Sequence, residues 1–115
     1  MNDNCLFCKI AAGKIPSTTL YENDEVIAFE DIAPQAPVHV LIIPKRHIED
    51  AQALQRSDDQ LLGQLFETAR SLAVKLGIES SGYRLVSNIG RDGCQSVPHL
   101  HLHLLGGRSM TWPPG

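Results

Sequence analysis

The sequence predicts a single α+β domain that contains an antiparallel sheet of about five strands, one long helix and one short helix. The chain has 115 residues, an ordinary length for one domain, and contains no internal repeat, low-complexity tract or linker. One long segment repeats its apolar residues with the helical period. The sheet is predicted from short segments of strand-forming composition, which are residues 17–22, 25–30, 38–43, 83–88 and 99–105.

The first part of the chain carries the short helix and the first three strands. We expect the helix over residues 5–13, with Gly13 ending it. The first two strands flank Asn23-Asp24, which is a turn signal, so they are predicted to form a hairpin. The third strand is strongly apolar and is expected to be closed by Pro44.

The long helix is predicted over residues 58–76. Ser57 is a favourable N-cap, and Gln60 completes a capping box. Two aspartates in the first turn suit the positive end of the helix dipole, and Gly77 marks the end of the helix. The residues expected on its core-facing side are Leu61, Leu62, Leu65, Phe66, Ala69, Leu72, Ala73 and Leu76.

Composition and charge exclude several classes of protein. Hydrophobic residues make up 43% of the chain, and the net charge of −3 provides no broad basic field for nucleic acid. The first residues are acidic, and no apolar run reaches the length of a secretory or membrane-spanning segment. The three cysteines are an odd number, which argues against a fully paired disulfide framework. We therefore expect a cytoplasmic protein without nucleic-acid or membrane partners, in which Cys5-x-x-Cys8 is a reduced pair or half of a metal site.

Three histidines alternate with leucines near the C-terminus. In a strand over residues 99–105, the leucines would enter the core, while His99, His101 and His103 would share the opposite face at intervals of roughly 6.6 Å. This spacing suits several contacts around one phosphate, or a transition metal bound by all three. A polar strand face that happens to use histidine is the ordinary alternative, although such faces more often carry Thr, Lys or Glu.

A glycine-rich loop, residues 89–98, precedes the histidine strand. Glycines and short polar side chains allow backbone N–H groups to approach an anion closely. Such a loop, taken alone, is more often an ordinary turn. Because it lies directly before the histidines, we interpret it as the other wall of a phosphate site.

Residues 99–105 match, without a mismatch, the His-φ-His-φ-His-φ-φ signature of the histidine-triad superfamily, in which φ is apolar. Further segments along nearly the whole chain resemble the Hint branch of that superfamily. The terminal Trp112-Pro113-Pro114-Gly115 resembles the tail of that branch's purine nucleoside phosphoramidases. The other matching segments are Phe7-x-x-Ile10, Ile15-Pro16, Ala28-Phe29-x-Asp31-Ile32, Pro34-Gln35-Ala36-Pro37-x-His39, Ile43-Pro44-Lys45, Gly93-x-Gln95-Ser96 and Leu105-Gly106-Gly107-Arg108.

The resemblance implies catalysis through a covalent nucleotidyl-histidine, since family members hydrolyse nucleoside 5′-phosphoramidates and related AMP conjugates. By position, His101 would be the nucleophile and His103 would donate to an α-phosphate oxygen. His39 would orient the imidazoles, Ser96 would lie beside the leaving group, and His99 completes the triad. Neutral imidazole suits such a nucleophilic role near pH 7. Without the resemblance, His39 would be interpreted as an ordinary polar side chain in a strand.

The resemblance also implies a site for a purine nucleoside. Asp31 resembles the acid that accepts from ribose hydroxyls, and Asn88 resembles a residue near the phosphate and sugar. The residues that would form the apolar base pocket, and that are equally plausible as core, are Leu6, Phe7, Ile10, Phe29 and Ile32. The loop residues expected to bind the nucleotide are Cys94, Gln95, Ser96 and Val97. Related sequences commonly have glycine at position 94, so Cys94 is a departure from the family.

A zinc site is a further implication. Cys5-x-x-Cys8 has metal-ligand spacing, and some triad proteins combine such a pair with a histidine after the Pro-Lys segment and with the first histidine of the triad. His47 and His99 occupy these positions, and a Cys2His2 set suits structural zinc. If His99 binds zinc, it cannot act as a freely protonating acid, and Ser96 or solvent must serve the leaving group. The alternative is two small buried residues and unrelated histidines.

The resemblance finally implies a homodimer whose sheets join edge to edge. Trp112 is then expected to reach toward the partner's site, so that deletion of residues 111–115 would change substrate preference more than folding. Two other functions stay open. A dinucleoside polyphosphate hydrolase or nucleotidyltransferase would use the same nucleophile, although the Trp-Pro-Pro-Gly ending disfavours it. A non-catalytic nucleotide-binding or scaffold protein would have no need of a nucleophile at His101.

Overall fold

An antiparallel sheet of five strands is the main element that the computed structural model describes over residues 4–115. Residues 1–3, which begin the acidic N-terminal segment, lie outside the described residues. The predicted α+β fold, with its five strands, one long helix and one short helix, is confirmed. In their spatial order, the strands are β1 (Thr19–Glu22), β2 (Val26–Glu30), β3 (Val38–Pro44), β5 (Leu102–Gly106) and β4 (Tyr83–Val86).

Helices cover both faces of the sheet. Helix α1 spans Leu6–Ala11 and helix α2 spans Asp59–Lys75, and two short 3-10 turns at Ala51–Ala53 and Arg56–Asp58 precede α2. Side chains of α2 pack on one face of the sheet, and side chains of α1 pack on the other. No helix in the described part of the chain is long and apolar enough to cross a membrane.

Side chains of the central strand β3 alternate between the two apolar layers. Val40 and Ile42 belong to the layer under α2, whereas Leu41 and Ile43 belong to the layer under α1. The continuous apolar run that predicted this strand therefore reflects burial on both faces. Pro44 is the last residue of β3 rather than the residue after it, which the end of a strand tolerates.

The β1–β2 hairpin forms at the predicted turn. The Asn23 Oδ1 atom accepts from the backbone N–H groups of Glu25 (2.8 Å) and Val26 (2.9 Å), which is the Asx geometry that makes asparagine a turn residue. Several elements are shorter than predicted. β1 begins at residue 19 rather than 17, β4 ends at 86 rather than 88, and α1 ends at 11 rather than 13.

The start of α2 differs from the prediction. Asp58 rather than Ser57 occupies the N-cap position, and no side chain caps the α-helix there. A 3-10 turn takes up Ser57 before the α-helix begins, so the predicted capping box with Gln60 is wrong. Instead, the Asp58 carboxylate accepts from the backbone N–H of Gln55 at 2.9 Å and stabilises that turn.

The buried stripe of α2 is narrower than predicted. Leu62, Phe66 and Leu76 are 39%, 50% and 36% exposed, because they lie at the margins of the stripe that faces the sheet. Thr68 is buried instead, and its hydroxyl donates to the Gln64 carbonyl within the helix at 2.7 Å. The predicted residues that do face the core are Leu61, Leu65, Ala69, Leu72 and Ala73.

The histidine strand begins later than predicted. β5 starts at Leu102, and residues 99–101 lie outside the sheet pairing. Other backbone partners explain the difference, since the Leu100 N–H donates to the Ile48 carbonyl at 2.6 Å and the His99 N–H donates to the Val97 carbonyl at 2.8 Å. The three imidazoles therefore do not follow one regular strand.

Candidate active site

A pocket of about 280 Å³ lies between α1 and the sheet, and His103 of β5 and His101 just before β5 both line it. Its walls are mainly apolar, and Ile15 and Leu41 line it without having been predicted. Leu41 lies opposite His103 in the β3–β5 pairing, and this register was not predicted from the sequence. The predicted residues that line the pocket are Leu6, Phe7, Ile10, Phe29, Asp31, Ile32, Ser96, Val97, His101 and His103.

His101 is 2% exposed, and its ring is held in one tautomer. The Nδ1 atom lies 2.6 Å from the carbonyl oxygen of His99. Because a carbonyl oxygen only accepts, Nδ1 carries the proton, and the neutral ring keeps its lone pair on Nε2. The ring of Phe7 stands nearly perpendicular to the imidazole at a centroid distance of 5.1 Å. The Ser87 hydroxyl, which sequence reasoning missed, donates to the His101 carbonyl at 2.9 Å.

A hydrogen bond of 2.9 Å joins His39 Nε2 to His103 Nδ1. The backbone N–H of Gln35 donates to His39 Nδ1 at 3.0 Å, so the neutral His39 ring carries its proton on Nε2. His39 therefore donates to His103, whose own proton lies on Nε2. The ring centroids of His101 and His103 are 5.0 Å apart, so the two imidazoles are neighbours in the pocket. The orienting role of His39 stays a prediction, and this hydrogen bond is consistent with it.

Burial favours the neutral forms of His39 and His103. Desolvation, followed by the neighbouring His101 and His39, lowers the pKa of His103 to about 4, and the Asp31 carboxylate opposes this shift. Desolvation also lowers the pKa of His39, again against the attraction of Asp31. A neutral His103 can donate through Nε2 and accept through Nδ1 at the same time, which the hydrogen bond from His39 requires.

Asp31 lies at the end of the pocket next to Ile32, which is fully exposed. One carboxylate oxygen accepts from the backbone N–H of Ala33 at 2.8 Å, and the other lies 3.4 Å from His39 Nε2. The carboxylate is therefore held in place while part of it still faces the pocket. This position suits an acceptor for a polar group of a ligand.

Three of the predicted nucleotide-binding residues do not line the pocket. The amide of Asn88 donates to the Gly93 carbonyl at 2.6 Å, and the side chain of Gln95 bonds to backbone groups of the loop and of Glu49. Cys94 is exposed and has a φ of 63°, in the left-handed region that favours glycine. The common glycine of related sequences at position 94 therefore has a backbone explanation.

Cys5, Cys8, His47 and His99 come together beside α1, with their ligand atoms all within 4.8 Å of one another. The Nδ1 atom of His99 lies 3.3 Å from the sulfur of Cys5 and 3.5 Å from that of Cys8, and the Nδ1 atom of His47 lies 3.3 Å from the Cys8 sulfur. His99 Nε2 donates to the carbonyl of Pro44 at 2.8 Å, which leaves the Nδ1 lone pair toward the sulfurs. Two thiols and two imidazoles whose Nδ1 atoms face the sulfurs fit a tetrahedral metal ion.

Asp31, His39 and His103 are also close enough to hold a metal ion. The hydrogen-bond geometry disfavours this use. The backbone N–H of Gln35 occupies the Nδ1 lone pair of His39, so Nε2 carries a proton and cannot ligate in the neutral ring. This group of three is therefore arranged for hydrogen bonding rather than for metal binding.

The first histidine of the predicted strand differs from the other two in its environment. The imidazole of His99 is fully buried among the cysteines, and only the backbone carbonyl of this residue contacts the ring of His101. The expectation that all three imidazoles share one polar face is therefore wrong. The cause is the backbone before β5, which leaves the sheet pairing at His101.

Comparisons with known proteins agree with this geometry. The family model of the HIT domain matches residues 12–110. The 14 kDa zinc-binding protein of Brassica juncea is 50% identical over 96% of this chain and 98% of its own, and the adenylylsulfatase HINT1 of Arabidopsis thaliana is 47% identical over 96% and 76%. The crystal structure of a HIT family hydrolase from Legionella pneumophila superposes with a TM-score of 0.96, at 54% identity over 97% of this chain and 100% of that one. The chain belongs to the histidine-triad family, in its Hint-like branch.

Proposed function

We propose that this protein hydrolyses purine nucleoside 5′-phosphoramidates and releases AMP or GMP through a nucleotidyl-His101 intermediate. The observation that carries the proposal is the 2.6 Å hydrogen bond from His101 Nδ1 to the His99 carbonyl. It leaves the Nε2 lone pair free in a pocket that is otherwise mainly apolar. A neutral imidazole in this tautomer is ready to attack phosphorus without first losing a proton.

The reaction would proceed in two displacements. In the first, the Nε2 lone pair of His101 forms a bond to the α-phosphorus and the P–N bond to the amine breaks. The amine takes the electron pair of that bond and a proton that solvent supplies through the Ser96 hydroxyl. In the second, water attacks the phosphorus, the bond to Nε2 breaks with its electron pair returning to the ring, and the proton of water is released. Splitting one difficult displacement into two easier ones is the advantage of covalent catalysis.

Neighbouring side chains would serve these steps. His103, held as an Nε2–H donor by His39, would donate to a non-bridging phosphate oxygen as negative charge develops there. Ser96 lines the pocket and would assist protonation of the departing amine. His99 would take no part through its ring, because that ring faces the cysteines.

The nucleoside would lie against the apolar part of the pocket. Asp31 would accept from the ribose hydroxyls, and the base would lie among the apolar side chains of α1 and β2. The rings of Phe7 and Phe29 meet edge to face at 5.6 Å, which gives this wall a fixed shape. Asn88, Cys94 and Gln95 would act through the shape of the loop.

We further propose that Cys5, Cys8, His47 and His99 hold a zinc ion. The support is their donor chemistry, the orientation of His99, and the similarity to the Brassica juncea protein that is named as zinc-binding. When bound, zinc would supply a structural crosslink between α1 and the segments that follow β3 and precede β5. The thiols would have to stay reduced, which agrees with a cytoplasmic location.

A homodimer remains part of the proposal. Strand β4 is at an edge of the sheet, and Leu62, Phe66 and Tyr83 expose large apolar side chains. A partner joined along that edge would cover them and bring the tail with Trp112, which is 81% exposed, to the neighbouring site. Sedimentation equilibrium would detect the dimer, and a monomer at micromolar concentration would contradict it.

Hydrolysis of adenylyl sulfate is a second candidate, because the Arabidopsis thaliana relative is named as an adenylylsulfatase. The same attack on the α-phosphorus would expel sulfate, which leaves without a proton. The two activities can be separated by Ser96→Ala, which should slow release of an amine far more than release of sulfate. Equal losses for both substrates would remove Ser96 from the role of proton donor.

The decisive experiment measures AMP release from adenosine 5′-phosphoramidate by the wild-type protein and by His101→Ala. Loss of turnover with retained AMP binding would support the class of reaction and the nucleophile together. Equal turnover in both proteins would refute His101 as the nucleophile. Absence of turnover in the wild-type protein would favour the binding or scaffold function, and diadenosine polyphosphates in the same panel would test the remaining hydrolase alternative.

A further inference from the structure

The glutamine in the loop before the histidines uses its whole amide within the fold. Gln95 Nε2 donates to the carbonyls of Glu49 (2.8 Å) and Val97 (3.0 Å), and its Oε1 accepts from the backbone N–H of Gly90 (2.9 Å). The Gln95 backbone N–H donates back to the Gly90 carbonyl at 3.0 Å. Since a primary amide has two N–H donors, none is left for a ligand.

These bonds fix the backbone on both sides of a pocket residue. Ser96 lines the pocket between Gln95, which closes the loop on Gly90, and Val97, whose carbonyl accepts from the glutamine. The hydroxyl of Ser96 can serve a departing amine only if this short segment keeps its position. The Gln95 amide is therefore the side chain that holds Ser96 in place from both neighbours.

A continuous path of hydrogen bonds leads from the same amide to His101. The Val97 carbonyl also accepts from the N–H of His99 at 2.8 Å, and the His99 carbonyl accepts from His101 Nδ1 at 2.6 Å. Residues 48 and 49 support both ends of this segment, because the carbonyl of Ile48 holds the N–H of Leu100. Without the Gln95 amide, the carbonyls of Glu49 and Val97 lose this donor. The backbone that leads to the His101 imidazole is then held less firmly.

We propose that Gln95 is a positioning residue that acts through Ser96 and His101 and determines which leaving groups the site can expel. This inference rests on the proposed hydrolysis. A basic amine must receive a proton from a donor in a defined position before it can leave. Displacement of Ser96 should therefore lower the rate most for this leaving group. A weakly basic leaving group needs little assistance and is expected to depend little on Gln95.

The test uses two substitutions and a matched control. Gln95→Met keeps the length of the side chain and removes its hydrogen bonds, and Gln95→Glu keeps the acceptor toward Gly90 while placing a carboxylate oxygen against two carbonyls. The control is Gln64→Met. Gln64 lies on α2, away from the pocket, and its amide oxygen accepts from the Asn23 side chain at 3.1 Å. The kcat and KM are measured on adenosine 5′-phosphoramidates whose amines range from an aniline to an alkylamine, together with the Kd for AMP.

For Gln95→Met, kcat is expected to fall about tenfold with the alkylamine and less than about twofold with the aniline, at an unchanged Kd for AMP. Gln95→Glu should show the same order, and Gln64→Met should behave as wild type. An equal loss for every amine would overturn the assignment. A weakened Kd for AMP at unchanged kcat would show instead that Gln95 contacts the nucleotide, as the sequence alone suggested.

Hydrogen exchange tests the positioning independently of turnover. The amides of His99 and Leu100 are expected to exchange faster in Gln95→Met than in the wild type or in Gln64→Met, because their acceptors lose support. Unchanged exchange would refute the inference even if catalysis is confirmed. Faster exchange in a protein that shows no turnover would leave the positioning intact and refute the proposed function.

Discussion

The change of stability with pH measures how strongly burial keeps the ring of His103 neutral. In the folded chain, desolvation and then the neighbouring His101 and His39 lower the pKa of His103 from 6.5 to about 4, while Asp31 opposes the shift. As the pH falls below 6.5, the unfolded chain therefore takes up this proton before the folded chain does. The contribution to stability is complete above pH 6.5 and is lost progressively toward pH 4. At 1.36 kcal/mol per pKa unit, the loss amounts to about 3 kcal/mol.

The assay is urea unfolding of the wild type and of His103→Asn at several values between about pH 7 and pH 4. Asparagine is chosen because its amide oxygen can still accept from His39 Nε2. The other titrating groups are common to both proteins, so the difference between the two free energies of unfolding reports His103. This difference should change by about 3 kcal/mol across the range, in favour of the variant at low pH. Two parallel curves would refute burial as the cause of the neutral ring.

Three further changes have definite expected outcomes. Cys8→Ser removes one thiolate ligand, so zinc measured by mass spectrometry should fall well below one equivalent per chain and the Tm should drop; full zinc content would contradict the four-residue site. Cys94→Gly should raise the free energy of unfolding in urea by about 0.5–1 kcal/mol, because the backbone at position 94 has a left-handed φ of 63°; a loss of stability would mean that the thiol makes a compensating contact. Deletion of residues 111–115 should change the ratio of kcat/KM between leaving groups while the Tm stays nearly constant, and unchanged ratios would remove the tail from the site.

Elements whose sequence pattern depends on nearby residues were predictable. The Asn23 turn fixed the hairpin, and the alternation of Val40, Leu41, Ile42 and Ile43 between two layers explains why β3 appeared as one apolar run. The start of α2 was missed because a 3-10 turn and an α-helix begin with similar polar residues. The exposure of Leu62, Phe66 and Leu76 was not predicted, because the helical period of apolar residues does not show how much of the helix surface the sheet covers.

The parts of the site that could not be predicted depend on backbone groups far away along the chain. The pairing of His101 and His103 followed from their spacing and from the family resemblance. The tautomers of the imidazoles could not be predicted. They are set by the Gln35 N–H and by the carbonyls of His99 and Pro44, and such backbone groups carry no sequence signature. For the same reason, the sequence predicts a strand over residues 99–101, whereas the hydrogen bond from the Leu100 N–H to the Ile48 carbonyl holds this backbone outside the sheet pairing.

The division of the three histidines between two tasks follows from one local event. If β5 had continued to residue 99, the ring of His99 would have remained beside that of His101, and no carbonyl would have been turned toward Nδ1. Because the chain leaves the sheet at His101, the ring of His99 reaches Cys5 and Cys8 while its carbonyl accepts from His101. The backbone of His99 therefore sets the tautomer of the proposed nucleophile, and its side chain joins the Cys/His cluster that is proposed to bind zinc. A chain with the same alternating histidines but a longer strand would have neither arrangement.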